Sequence, residues 1–248
     1  MLDKLRLEID EIDAKLLQIF EKRMAISGKI AQVKQGAGLE VLDSKREEEK
    51  LAQIVANAQG EFSLYVHSLY DSLFSLSRHY QDSLTQGKRG NNVILIGMPG
   101  GGKTVVGRAF AKLENRNFVD LDQEIEKKAG KDIPTIFKEA GEGAFRTLET
   151  QVLKETLEKQ GQVIATGGGI VLQGENCLHL KMGGDIFFLK RPIEALARGG
   201  RPLSAGNLDQ MYKIRKPFYE GLADFVIENE GTPTQVAMKM QEMLEEGK

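Results

Sequence analysis

Lys103 and Thr104 close the run Gly97-Met98-Pro99-Gly100-Gly101-Gly102-Lys103-Thr104, which fits the pattern G-x-x-x-x-G-K-[ST]. Glycines at this spacing let successive backbone N–H groups bend round a phosphate. The lysine carries a point charge to the outer phosphates, and the threonine hydroxyl can hold Mg²⁺. The candidate nucleoside triphosphate contacts are therefore Gly100, Gly101, Gly102, Lys103, Thr104 and Val105. Downstream, Phe118-Val119-Asp120-Leu121-Asp122 leads an apolar run into two carboxylates, and in a strand this spacing places both on one face. One can organise Mg²⁺ with Thr104 while the other accepts a proton from a hydroxyl, the division of labour that phosphoryl transfer needs. An exposed acidic strand end is the plain alternative.

The elements needed to position these groups are legible around them. Val93-Ile94-Leu95-Ile96 is a buried strand ahead of the loop, and Val105, Val106, Ala109, Phe110 and Leu113 recur at helical spacing behind it. Val163-Ile164-Ala165-Thr166 runs into Gly167-Gly168-Gly169, where backbone N–H groups can approach a ligand. Phe145-Arg146-Thr147-Leu148-Glu149, Arg198, Arg201-Pro202-Leu203 and Arg215-Lys216-Pro217-Phe218-Tyr219 add cations, expected on helix ends or loops. An ordinary tight turn and an ordinary basic face are the bland readings of these features.

A second set of candidates lies in the first 85 residues. Leu5, Ile9, Ile12, Leu16, Ile19, Arg23, Ile26, Ile30 and Val33 follow one another at alternating spacings of four and three, a heptad stripe. A helix from about residue 3 to 35 is roughly 50 Å long, more than the core of so small a domain covers, and so is expected to pack on a second chain. Further helices are expected from Asp43 to about Ala58, with Leu51, Ile54, Val55 and Ala58 inward, and from about Phe62 to Leu84. Arg23 occupies a stripe position, where an unpaired guanidinium is costly, and so is expected to face an anion. Lys34, eleven residues on, projects from nearly the same face. Ser77 and Gln81 are spaced i, i+4, and Asp43, Arg46 and Glu47 cluster at the start of the second helix. Singly, each has a bland reading: a capping box at Ser44-x-x-Glu47, a solvated Arg46, a snorkelling Arg23.

Composition bounds the rest. With 34 basic and 36 acidic residues the net charge is -2, so no global field points to nucleic acid or an anionic membrane. Small molecules and other protein chains are the expected partners. Cys177, the one cysteine, excludes an internal disulfide and reads as a packing residue; with neither a membrane-spanning run nor a signal-peptide pattern, a cytoplasmic setting is expected. All six prolines lie in the later part of the chain, and residues 82–91 break the helical pattern. Two domains of different class follow: an all-α unit at 1–85, a linker at 86–91, and an α/β unit with a central parallel sheet at 92–248.

Taken together, residues 1–85 resemble the all-helical type of chorismate mutase, a three-helix intertwined homodimer. The resemblance implies rearrangement of chorismate to prephenate without a cofactor. Arg6 would reach the partner subunit's site, Arg23 would bind a substrate carboxylate, and Lys34 and Gln81 would hydrogen-bond the ether oxygen. Asp43 and Glu47 would hold the ring hydroxyl region, with Arg46 and Ser77 completing the polar contacts. The seventeen residues between Arg6 and Arg23 span about 25 Å of helix, so both touch one small ligand only if one comes from another chain.

Residues 92 to about 245 resemble shikimate kinase through Asp120-x-Asp122, Phe145-Arg146, the glycine triplet, Arg201-Pro202-Leu203 and Arg215-x-Pro217-x-Tyr219. This implies ATP- and Mg²⁺-dependent phosphorylation of shikimate, with Asp122 as base. Arg146 and Arg215 would pair with the substrate carboxylate, Gly168 and Gly169 would bind its hydroxyls, and Glu149 would orient Arg146. Lys103 and Arg201 would neutralise the transferring phosphoryl, Thr104 and Asp120 would hold the metal, and Arg198 would lie near the adenine. Only Gly199 and Gly200 separate Arg198 from Arg201, a short lid for this family. A helical segment that only dimerises the kinase or senses a metabolite is the alternative to a second enzyme.

Overall fold

The computed structural model describes residues 1–85, 90–196 and 208–247. The chain divides into two compact units, Met1–Gly87 and Lys88–Lys248.

The first unit is three helices. α1 (Leu2–Gly36) runs 35 residues and stops where Ala37 caps it and Gly38 turns with φ +66°. α2 (Ser44–Asn57) is capped by Asp43, whose carboxylate accepts from the Arg46 N–H at 3.1 Å. The cap is thus one residue earlier than the Ser44-x-x-Glu47 box would place it; the carboxylate at 43 reaches the free N–H, and the Glu47 side chain pairs with Arg78 instead. α3 (Ser63–Thr85) completes the unit. It packs along α1 at Gly28, where a Cβ would sit 3.0 Å from the Tyr80 ring. On α1 only Ser27, Gly28 and Ala31 are fully buried. Leu51, Ile54 and Val55 of α2 are half-buried, as their spacing requires, and so is Ala58, which caps the helix just past its end. The heptad stripe, by contrast, lies open in the single chain: Leu5, Ile9, Ile12, Leu16 and Ile19 are each 50–65 % exposed.

The second unit is a five-stranded parallel sheet in the order β2-β3-β1-β4-β5, comprising β1 (Asn92–Ile96), β2 (Asn117–Asp120), β3 (Gln162–Ala165), β4 (Gly184–Lys190) and β5 (Phe225–Glu228). The central strands β1 and β3 are buried on both faces, which explains their unbroken apolar runs. Helices cover both faces: α4 (Lys103–Leu113) and α9 (Pro233–Glu246) share one core with Val93 and Leu95. α5 (Leu121–Ala129), α6 (Ile133–Leu157), α7 (Gly174–Gly183) and α8 (Leu208–Leu222) enclose another with Ile94 and Ile96. α6 bends at Gly141, whose φ of +80° breaks the helix. Because every strand runs the same way, the segments leaving β1, β2 and β3 gather at one edge, where such sheets bind ligands.

Candidate active sites

The loop between β1 and α4 is shaped by three glycines of positive φ: Gly97 (+140°), Gly100 (+75°) and Gly102 (+90°). A Cβ at Gly102 would lie 2.5 Å from the Asn229 amide, which itself donates to the Gly101 carbonyl at 2.6 Å. Lys103 is buried, and its ammonium donates to the carbonyls of Gly97 (2.8 Å) and Met98 (2.9 Å), so the cation is held at the rim of the loop. The Thr104 hydroxyl donates to Asp120 Oδ2 at 2.7 Å. A hydroxyl and a carboxylate in contact suit Mg²⁺, which takes one or two protein oxygens and fills its octahedron with phosphate oxygens and water. Among the described residues no group of three or more His, Cys, Asp or Glu side chains stands together as a metal cluster.

Asp120 and Asp122 do not share a strand face. β2 ends at Asp120, which sits at the N-terminus of α5, and Asp122 lies in that helix's first turn. The geometry that unites them is the strand-to-helix corner, which aims Asp120 at Thr104 while Asp122 meets the turn after β3. A Cβ on Gly167 would be 2.8 Å from Asp122 Oδ1 and 3.2 Å from Glu149 Oε1. One on Gly169 would be 2.7 Å from the Arg146 guanidinium, and one on Gly168 would strike Pro99. The glycine triplet therefore lets Asp122, Arg146 and the phosphate loop converge.

Arg146 is buried on α6 and bound by two carboxylates. Its Nη1 donates to Glu149 Oε2 at 2.8 Å, and its Nε and Nη2 donate to Glu142 Oε1 at 3.3 and 3.1 Å. Burial lowers the Arg146 pKa, but Glu149 and Glu142 outweigh it and the net direction is up. Burial pushes the Glu149 carboxyl above its usual range despite Arg146, with Asp122 adding to the rise and Arg215 opposing it. Arg215, expected on a helix end or loop, stands buried inside α8. One turn on, Tyr219 donates to the Gly168 carbonyl, and burial raises its hydroxyl to about 12 against the pull of Arg215, so it remains a donor at working pH. Arg198 and Arg201 lie outside the described residues.

In the helical unit Arg23, Lys34, Asp43, Arg46, Glu47, Ser77 and Gln81, drawn from all three helices and the α1–α2 connection, line a single cleft of about 460 Å³. Arg23 Nη1 donates to the Ser77 hydroxyl and to the Leu73 carbonyl (3.2 Å), with its guanidinium 5.9 Å from the Phe74 ring centre. Lys34 Nζ donates to the Val41 carbonyl at 2.7 Å, tying the end of α1 to the segment before α2. Gln81 Nε2 donates to the Ser27 hydroxyl at 2.7 Å, and its Oε1 is buried with no partner among the described residues. Arg6 is not in this cleft; it is exposed on α1 and pairs with Asp3 at 3.4 Å.

Sequence reasoning missed Arg78, Ser27 and Asn229, and it quoted Tyr219 within a motif without giving it a contact. Arg78 lines the same cleft and forms an ion pair with Glu47; it sits between Ser77 and Gln81, a signal that went unused. Ser27 and Asn229 acquire their contacts from distant elements and carry no local mark. Cys177 is half-buried, donates to the Val171 carbonyl and has its pKa raised by burial, which fits a packing residue. No helix among the described residues is long and apolar enough to cross a membrane.

Comparison with known proteins assigns both units. The family model described as shikimate kinase matches residues 99–245, and that described as chorismate mutase type II matches residues 5–82. Shikimate kinase of Acinetobacter baumannii is 40 % identical over 164 residues, 62 % of this chain and 91 % of that protein. Shikimate kinase of Thermodesulfovibrio yellowstonii is 42 % identical over 160 residues, 60 % of this chain and 92 % of that protein. A solved structure of the Acinetobacter baumannii shikimate kinase in complex with shikimate matches with a TM-score of 0.60 at 39 % identity, covering 64 % of this chain and 94 % of that one. The chain belongs to the shikimate kinase family and carries a chorismate mutase type II domain ahead of the kinase, which makes it a bifunctional enzyme of aromatic biosynthesis.

Proposed function

We propose that residues 92–248 transfer the γ-phosphoryl group of ATP to the 3-hydroxyl of shikimate, and that residues 1–85, joined to them by 86–91, rearrange chorismate to prephenate as a homodimer. The observation that carries this reading is chemical: each unit gathers arginines with hydroxyl-binding groups at one site, the layout that a carboxylated, hydroxylated ring requires.

In the kinase, Asp122 accepts the proton of the attacking hydroxyl as its oxygen bonds to phosphorus and the bond to the leaving phosphate oxygen breaks. Arg146, held by Glu149, and Arg215 clamp the shikimate carboxylate, while Gly168 and Gly169 contact its hydroxyls. Lys103 gives up its loop carbonyls to the triphosphate, and the Gly100 to Val105 backbone cradles it. Mg²⁺, when bound, neutralises phosphate charge; Thr104 and Asp120 are the residues that would hold it. Arg201 and Arg198 are assigned to the phosphoryl group and the adenine by the same reading. Both reactions are set in the cytoplasm, where ATP is available.

In the mutase no nucleophile or cofactor is needed. Arg23 and the partner copy's equivalent of Arg6 hold the two carboxylates of the dianion in a compact pose. Lys34 and Gln81 donate to the ether oxygen as negative charge grows on it. Asp43 and Glu47 receive the ring hydroxyl, with Arg46 and Ser77 beside them. The open stripe from Leu5 to Ile19 supports the second copy, since apolar side chains this exposed along one helix face need a cover.

An acceptor screen with labelled ATP tests the kinase assignment: label is expected on shikimate and not on nucleoside monophosphates, and the reverse would overturn it. Sedimentation of the purified chain tests the homodimer, and a monomer at micromolar concentration would contradict it.

A further inference from the structure

We propose that Arg78 is a positioning residue of the mutase cleft: it fixes the Glu47 carboxylate for the substrate's ring hydroxyl and screens it from the substrate's carboxylates. The inference rests on the reading of the cleft given above and adds a residue to which that reading assigned no role.

Asp43 and Glu47 are the carboxylates of the cleft lining. Asp43 is fixed by the α2 cap, where its Oδ1 accepts the Arg46 N–H, whereas the Glu47 carboxylate projects from the first turn of α2 and is held from another helix. An unpaired, ionised Glu47 would repel a dianionic ligand across the few ångströms of the cleft. Arg78 reaches over from α3, and its Nη1 donates to Glu47 Oε2. The Arg78 and Glu47 side chains are 33 % and 26 % exposed, so the pair faces the cleft without being sealed from it. A guanidinium anchored on one carboxylate oxygen leaves the other to accept from a hydroxyl, and its charge offsets the repulsion. The position on α3 suits the task, because Arg78 lies on the turn that also carries Ser77 and Gln81, both of which line the cleft.

The experiment is chorismate kinetics on the full chain for the parent, Arg78→Ala, Arg78→Lys, Glu47→Gln and the Arg78→Ala/Glu47→Gln pair, with helicity recorded for each. Arg78→Ala is expected to raise KM roughly tenfold while kcat stays within about threefold, an effect that shrinks as salt is added. Removing the Glu47 charge in the Arg78→Ala background is expected to recover most of that KM, and Arg78→Lys to fall between parent and alanine. A merely structural role gives no such recovery. An active parent whose KM ignores Arg78→Ala, or a double variant whose losses simply add, would overturn the proposal alone. If Arg78→Ala loses helicity, the lysine and double variants decide by the same criteria. A parent that consumes no chorismate would overturn the mutase reading and this inference with it.

Discussion

Glu149→Gln separates the aim of the shikimate clamp from the stability of the fold. Glu149 is 1 % exposed and holds Arg146 at 2.8 Å. Its pKa is raised in the folded state because burial outweighs Arg146. A raised carboxyl favours folding most below its unfolded value, about 4.3, and that contribution is lost as pH rises through the folded pKa. At neutral pH the ionised Glu149 therefore costs stability, and a neutral glutamine of the same shape relieves that cost. The two partners pull opposite ways, since the pair raises Arg146 as well. Arginine does not deprotonate at working pH, so the carboxyl decides the pH dependence. Breaking a buried pair usually costs about 3–5 kcal/mol, but here Glu142 still accepts from the Arg146 Nε and Nη2. Glu142 and the glutamine oxygen both keep Arg146 hydrogen-bonded, so the net change in stability is expected to fall below that range, at about 1 kcal/mol. The charge-assisted hydrogen bond that aims Nη1 is worth about 2 kcal/mol, which corresponds to roughly a 30-fold rise in the KM for shikimate. Shikimate titrations with coupled ADP detection would show that rise, with the KM for ATP unchanged. Thermal unfolding should show the melting difference between variant and parent moving against the variant as pH falls and Glu149 protonates. An unchanged KM for shikimate, or a loss above about 3 kcal/mol at neutral pH, would refute the reasoning.

Two glycine substitutions should diverge. A Cβ at Gly107 would meet Phe118 at 2.6 Å and Leu95 at 2.9 Å between α4 and the sheet, so Gly107→Ala is expected to destabilise the kinase by about 2 kcal/mol in denaturant melts. At Gly28 the contact is the Tyr80 ring at 3.0 Å, on a partly exposed side chain that can yield, so Gly28→Ala should be near neutral after the gain in helix propensity. Gly102→Ala combines a φ of +90° with a contact of 2.5 Å to Asn229; it should raise the KM for ATP at least about tenfold and leave chorismate turnover untouched. Arg6→Ala and Arg23→Ala should each abolish mutase turnover, while a subunit-exchanged mixture recovers about a quarter of parental activity through sites made intact by two chains. No recovery would argue against a shared site.

What the sequence disclosed follows the range over which each signal acts. The phosphate loop is local: three glycines of positive φ and the strand and helix around it are written in consecutive residues. Arg23 was legible because a charge interrupts an apolar stripe, and its neighbours in the cleft were within reach because helical periodicity fixes which residues share a face. Asp122 was placed on a strand face with Asp120, which the structure corrects, since an apolar lead gives no sign that β2 ends at Asp120 and a helix begins at Leu121. The α2 cap moved from Ser44 to Asp43 because either residue type can cap and only the backbone decides. Arg78 and Ser27 were passed over because their meaning depends on the register of α3 against α2 and α1, which no short pattern encodes.

The central claim is that one chain carries two working sites, and loss of chorismate absorbance by the purified protein, with no ATP present, tests it most directly. Rapid loss that Arg23→Ala abolishes, while shikimate phosphorylation by that variant continues at the parental rate, is the expected result. No loss of chorismate from a protein that phosphorylates shikimate would contradict it and leave the helical unit without catalysis of its own.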